Sequence, residues 1–160
     1  MKLFLLTHQK EPHRKTNTGA LAIELLGEKV EVVVWERTKP NKKLLDFIEQ
    51  GSIALLYPHE SSETLCEATS YETYILIDST WQEAQKIYNH SPYLHDLPCV
   101  KIETDKKSVY TLRRNQKEYG LCTAEIVVEV LKSRSMFKLA EALEGSLDAF
   151  VGHGKIQAKM

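Results

Sequence analysis

The stretch YILIDSTWQEAQKIY, Tyr74 to Tyr88, changes period in its middle. β-branched and aliphatic residues run as far as Asp78, and apolar residues at helical spacing begin at Trp81. A strand that feeds straight into a helix is the first half of a crossover between parallel strands, so the junction points to an α/β fold. The junction itself, Asp78-Ser79-Thr80-Trp81, gathers a carboxylate, two hydroxyls and an indole in four residues. Part of this is local structure. Thr80-Trp81-Gln82-Glu83 is a T-x-x-E capping box, in which the Thr80 hydroxyl accepts from the third amide of the helix and Glu83 reaches back to the cap. Asp78 and Trp81 are left over. An Asp at the carboxyl end of a strand is poor β material, and a Trp in the next turn offers a flat apolar wall. Together they resemble a base beside a stacking surface.

Working outward, KLFLLTH (residues 2–8) reads as a buried first strand and TGALAIELLG as a helix stopped by Gly27. VEVVVW is the second strand. A helix from about Lys42 to Gln50 follows, with Asn41 as its N-cap and Gly51 as its stop. SIALLY is the third strand, Ser61 or Ser62 caps a short helix through Cys66, and YETYILI is the fourth strand. Beyond the junction, Ser91 and Pro92 fit Ncap and N1 of a short turn, and CVKI is the fifth strand. Two helical patterns, about Thr123 to Lys132 and about Met136 to Val151, precede a frayed GHGKIQAKM. The alternation predicts a mainly parallel sheet with helices on both faces. Ligands gather at the carboxyl ends of such strands, which singles out YPHESS, DSTW and YGLCTAE.

A chain of 160 residues with 42% apolar and 27% charged residues suits one soluble domain with a real core. The apolar runs LFLL and VVVW fall far short of the roughly 18 residues that span a bilayer, and MKLFLL is too brief for a secretory signal. The expected compartment is the cytoplasm, with no membrane partner. Cys66, Cys99 and Cys122 are odd in number and widely spaced, so they read as buried thiols rather than a disulfide framework or zinc site. Net charge is near zero, which excludes a strongly basic coat but not local basic patches.

Asp78-Ser79-Thr80-Trp81 matches the D-x-T-W signature of the DTW-domain family, and the resemblance continues in family order over about residues 5–131. HQKEPHRKTNTGALAIELL resembles its H-x-x-E and T-N-T-G stretch, LLYPHESSETL its L-L-Y-P segment, and SPYLHDLPCV the part after the signature helix. YTLRRNQKEYGLCTAEIVVEVL is similar to its Y-x-L-R and L-S-T-x-E ending. The resemblance implies a single DTW domain over residues 1–160, with a SPOUT-like fold and a C-terminal trefoil knot. Periodicity could not have supplied a knot, which departs from the usual rules of connection. It also implies a cytoplasmic tRNA-uridine aminocarboxypropyltransferase. Such an enzyme moves the 3-amino-3-carboxypropyl group of S-adenosylmethionine, a co-substrate, to N3 of a tRNA uridine. The N-terminal cysteine cluster of many members is missing here, and the histidines lack ligand spacing, so no metal is expected. Cys122 replaces the usual Ser before the helix at Thr123, so either Thr123 takes over the capping or the loop is looser.

Within that resemblance Asp78 is the expected general base for the uracil N3 proton, Thr80 anchors the loop and Trp81 walls the pocket. Leu56, Tyr57, Pro58, Leu76, Leu121 and Thr123 are expected to cradle the adenosine. For tRNA, Arg113 and Arg114 suit bidentate phosphate contacts. Asn17, within Thr16 to Gly19, belongs either to an N-cap or to the substrate entrance. Two rivals stand beside this reading, a SPOUT-type RNA methyltransferase and a non-catalytic RNA-binding module. The chain is expected to be a monomer or a homodimer.

Overall fold

The fold is taken from a computed structural model, which describes residues 1–8, 19–57, 63–64, 71–79, 81–101 and 123–159. Six strands are described: β1 (Lys2–Thr7), β2 (Val30–Val34), β3 (Ile53–Leu56), β4 (Glu63–Thr64), β5 (Thr73–Asp78) and β6 (Cys99–Lys101). They form one sheet in the order β2-β1-β5-β3-β6-β4, and every neighbouring pair is parallel. The helices are α1 (Gly19–Leu26), α2 (Lys42–Gln50), α3 (Trp81–Asn89), α4 (Pro92–His95), α5 (Thr123–Ser133) and α6 (Phe137–Lys159).

The apolar runs are explained by burial on two faces. Leu3 and Leu5 of β1 pack with Ala22 of α1, Val127 and Leu131 of α5 and Leu143 of α6. Phe4 and Leu6, one residue out of phase, pack with Leu44 of α2, Ala84 and Ile87 of α3 and Leu94 of α4. Every position of a central strand then meets a helix layer, so the strand reads as a continuous hydrophobic run rather than an alternation. Edge strand β2 shows the opposite: Val30 and Val33 are buried, whereas Val32 and Val34 are 39% and 45% exposed.

Local signals hold at α2. The Asn41 side chain accepts from Leu44 N at 3.0 Å, and Gly51 ends the helix at φ +84°, a conformation that costs glycine little. Two expectations are corrected. Glu63–Thr64, expected inside a short helix, is instead strand β4, paired with Val100 and Lys101 of β6. An open strand edge supplies non-local partners, and these outweigh a local capping signal. At the other end α6 runs on to Lys159 through the stretch expected to fray. Gly152 and Gly154 cost the helix only about 1 kcal/mol each relative to Ala. Among the described residues no helix is long and apolar enough to cross a membrane.

Candidate functional site

The chain order decides where a ligand can enter. After β1 the chain passes to α1 on the face shared with α5 and α6; after β5 it passes to α3 on the opposite face with α2 and α4. β1 and β5 are neighbours, and the chain leaves their carboxyl ends toward opposite faces, which makes this the switch point of the sheet, the place where parallel sheets commonly bind ligands. Thr7 and Asp78 are register partners at those two tips. Asp78, the residue singled out as a base, therefore ends a central strand at the switch point, with Ser79 next and Trp81 opening α3. Asp78 and Trp81 are placed by their backbone.

The carboxyl end of β1 is tightly held. Thr7 is 1% exposed and its hydroxyl donates to His8 O at 3.1 Å, while its carbonyl accepts from Trp35 N at 2.8 Å. The Trp35 indole donates through Nε1 to Ser91 Oγ at 2.8 Å, a buried bond between residues 56 apart in the chain. The His8 ring stacks on that indole at 6.4 Å between centroids and 30° between planes. Ser91 keeps its Ncap position before Pro92, but its side chain makes no cap bond. A buried indole N–H needs an acceptor more than this four-residue helix needs a cap.

The expected adenosine cradle divides. Leu56 and Leu76 are register partners, lie in one core cluster with Ala124, and so come together beside Thr123, which is 4% exposed at the start of α5. Tyr57 turns to the other face. Its ring stacks on Tyr88 at 4.4 Å and 11°, and its amide donates to Val100 O at 3.1 Å, so that amide belongs to the sheet. Tyr88 in turn meets His95, whose Nε2 lies 2.7 Å from Tyr88 O near the end of α3. Burial, then the neighbouring Tyr88 and Cys99, push the Tyr57 phenol up; burial also raises the Cys99 thiol. These groups stay neutral near pH 7 and supply no base. Pro58, Thr80, Leu121, Asn17, Arg113 and Arg114 lie outside the described residues. Among the described residues no three His, Cys, Asp or Glu side chains gather as metal ligands. His8, Trp35 and Ser91 had no assigned part in the site, because the pairing of Thr7 with Asp78 and of Trp35 with Ser91 cannot be read from spacing.

A parallel sheet wrapped on both faces, with an Asp at the tip of a central strand beside the switch point, defines an α/β protein of the class whose ligand sites lie at that edge. More specifically, the chain belongs to the DTW-domain family: the model of the DTW domain matches residues 1–155. It is similar to tRNA-uridine aminocarboxypropyltransferase 2 of Drosophila melanogaster, 33% identical over 144 residues that make up 83% of this chain and 57% of that protein. The chain thus spans little more than half the length of that relative. No solved structure matches the chain.

Proposed function

We propose that this chain is a tRNA-uridine aminocarboxypropyltransferase that uses S-adenosylmethionine to convert a tRNA uridine into 3-(3-amino-3-carboxypropyl)uridine, releasing 5′-methylthioadenosine. The observation that carries the reading is the position of Asp78, the D of D-x-T-W, at the switch point of the sheet. The similarity to a relative with that activity in its name supports it.

The chemistry sets three demands. Uracil N3 carries a proton and is a weak nucleophile near pH 7, so a base must accept that proton; in this reading Asp78 does so. The N3 lone pair then attacks the methionyl Cγ, the Cγ–S bond breaks, and its electron pair returns to sulfur as a neutral thioether. Positive charge on sulfur disappears in that step, so a site that excludes water favours the transition state over the starting cation. Transfer rather than methylation requires the protein to present the amino acid arm, and not the methyl group, to the base. Leu56, Leu76 and Thr123, together on one face near the carboxyl edge, are suited to wall the cofactor. Pro58, Thr80, Trp81 and Leu121 complete the proposed cradle, whereas the Tyr57 ring lies on the opposite face. Arg113, Arg114 and Asn17 belong to the proposed tRNA surface.

The same reading extends to a single cytoplasmic domain without a metal, acting as a monomer or homodimer, and to a SPOUT-like knotted fold. Support for the fold is the late strand β5 inserted between β1 and β3, with α5 starting near the same carboxyl edge. A threaded chain would involve residues 102–122, which lie outside those described. The test is mass spectrometry of tRNA nucleosides after incubation with enzyme and S-adenosylmethionine, together with identification of the cofactor product. Aminocarboxypropyl-uridine with methylthioadenosine is expected. S-adenosylhomocysteine with a methylated base would replace the reading by a methyltransferase, and cofactor-independent RNA binding alone would replace it by a binding module.

A further inference from the structure

Three aromatic rings on the face of the sheet covered by α2, α3 and α4 take no part in the reaction above. We propose that Tyr57, Tyr88 and His95 form a stacking platform for an unpaired tRNA base that flanks the acceptor uridine, with the exposed His95 ring as the contact surface. The inference rests on the transferase reading and names a further part of its RNA surface.

The rings form a ladder that runs from the sheet to solvent. Tyr57 directly follows Leu56, the last residue of β3, and Leu56 is the register partner of Leu76 in β5. Neighbouring strands are about 4.8 Å apart, so the ladder begins one strand away from the end of β5. The Tyr57 ring, 9% exposed, lies flat on Tyr88 at 4.4 Å and 11°. The half-buried Tyr88 ring meets His95 at 4.7 Å and 49°, and His95 is exposed. This outermost ring is held from within the ladder. His95 Nε2 lies 2.7 Å from Tyr88 O, and a carbonyl oxygen only accepts, so Nε2 carries the proton and donates. The short helix α4 that carries His95 is anchored by Leu94, which is 0% exposed in the core. An exposed imidazole fixed by packing and a hydrogen bond has given up rotamer freedom before any ligand arrives, which lowers the cost of binding on it.

The chemistry of the acceptor asks for such a surface. N3 belongs to the Watson–Crick edge of uracil, so it reacts only where the uridine is unpaired or flipped out. Bases beside it in a loop offer open faces, and proteins read RNA of this kind by stacking those faces on aromatic side chains, histidine included. The face of the sheet also fits. In the displacement N3 and the departing sulfur lie in line on opposite sides of Cγ. Leu56 and Leu76, in the proposed cofactor wall, pack on the face covered by α1, α5 and α6, whereas Tyr57 and Tyr88 pack on the other. Cofactor and RNA then approach the carboxyl edge from opposite faces.

The experiment measures binding of a full tRNA transcript, and methylthioadenosine release, for wild type, His95→Ala, His95→Gln and His95→Phe. His95→Gln keeps a donor for Tyr88 O without the ring, and His95→Phe keeps a ring without the donor. Loss of one stacked base is expected to weaken tRNA binding by about 10-fold in His95→Ala and His95→Gln, with His95→Phe within about 3-fold of wild type. The loss should fall on the KM for tRNA, with S-adenosylmethionine affinity unchanged. Stacking releases no counterions, so the slope of log Kd against log salt should be the same in every variant, whereas a lost phosphate contact would reduce it by about 1. The inference is overturned if His95→Gln binds tRNA like wild type, if His95→Phe is as weak as His95→Ala, if the salt slope changes, or if wild type binds no tRNA. Should His95→Ala fail to fold, His95→Gln carries the comparison. A wild type that binds tRNA through this ring but releases no methylthioadenosine overturns the transferase reading alone.

Discussion

Replacing Ser91 by Ala removes one hydroxyl from a fully buried position and strands an indole N–H. Ser91 is 0% exposed, and its Oγ accepts from Trp35 Nε1 at 2.8 Å, while Trp35 itself is 7% exposed. A buried donor without an acceptor costs about 1–3 kcal/mol, and no new contact in the described packing replaces the hydroxyl. Taking about 2 kcal/mol, and about 2–4 °C of melting temperature per kcal/mol for a chain of this size, Ser91→Ala should melt roughly 4–8 °C below wild type. Urea unfolding followed by circular dichroism should show the same loss with an unchanged slope. Ser91 also bonds to the Tyr93 hydroxyl, whose pKa burial raises against the lowering effect of that bond, so Tyr93→Phe is the control for this second partner. Introducing Trp35→Phe into both backgrounds isolates the indole. With no donor left to strand, Ser91→Ala should cost less, giving a coupling of about 1 kcal/mol in the double-mutant cycle. A Ser91→Ala protein within about 0.5 kcal/mol of wild type, or a strictly additive double mutant, refutes the reasoning.

Three further outcomes are expected. Asp78→Asn should lower the rate of methylthioadenosine release by about 100-fold or more while leaving S-adenosylmethionine binding measurable by calorimetry; full turnover would remove Asp78 from the base role. Leu76→Ala, at a position 2% exposed in the core beneath α5, should destabilise the protein by about 2–5 kcal/mol in urea unfolding, and a loss below about 1 kcal/mol would mean that the core collapses around the gap. Burial holds the Tyr57 and Tyr88 phenols above their ordinary value of 10.0, so the folded state favours their neutral forms. That stability is fully present below pH 10 and is lost as the pH rises from there through the raised values. Unfolding free energy measured at rising alkaline pH should fall, and less steeply in Tyr57→Phe; an identical slope in the variant would contradict the assignment.

Much of the architecture was legible because its causes are local. The run in β1, apolar at both Leu3 and Phe4, announces a strand buried on two faces, and the cap at Asn41 with the stop at Gly51 brackets α2 within a few bonds of chain. Leu56 and Leu76, each near the carboxyl end of its strand, are register partners. The failures share one cause. Ser61 and Ser62 suggested a helix where β6 offered Glu63 and Thr64 a strand edge. Ser91 and Pro92 do open α4 as read, but that the Ser91 hydroxyl serves the Trp35 indole was not legible. Each competing partner is distant in sequence.

By itself the sequence determined that strands and helices alternate, which residues face a core, and that a carboxylate stands where a strand becomes a helix. These follow from period, capping and burial within short windows. Only the tertiary structure decided that β5 inserts between β1 and β3, so that Asp78 lies opposite Thr7 at a point where the chain departs to opposite faces. Strand pairing is a long-range choice, made by the whole set of edges and helix layers competing for one another. No spacing within the chain encodes which two tips will meet.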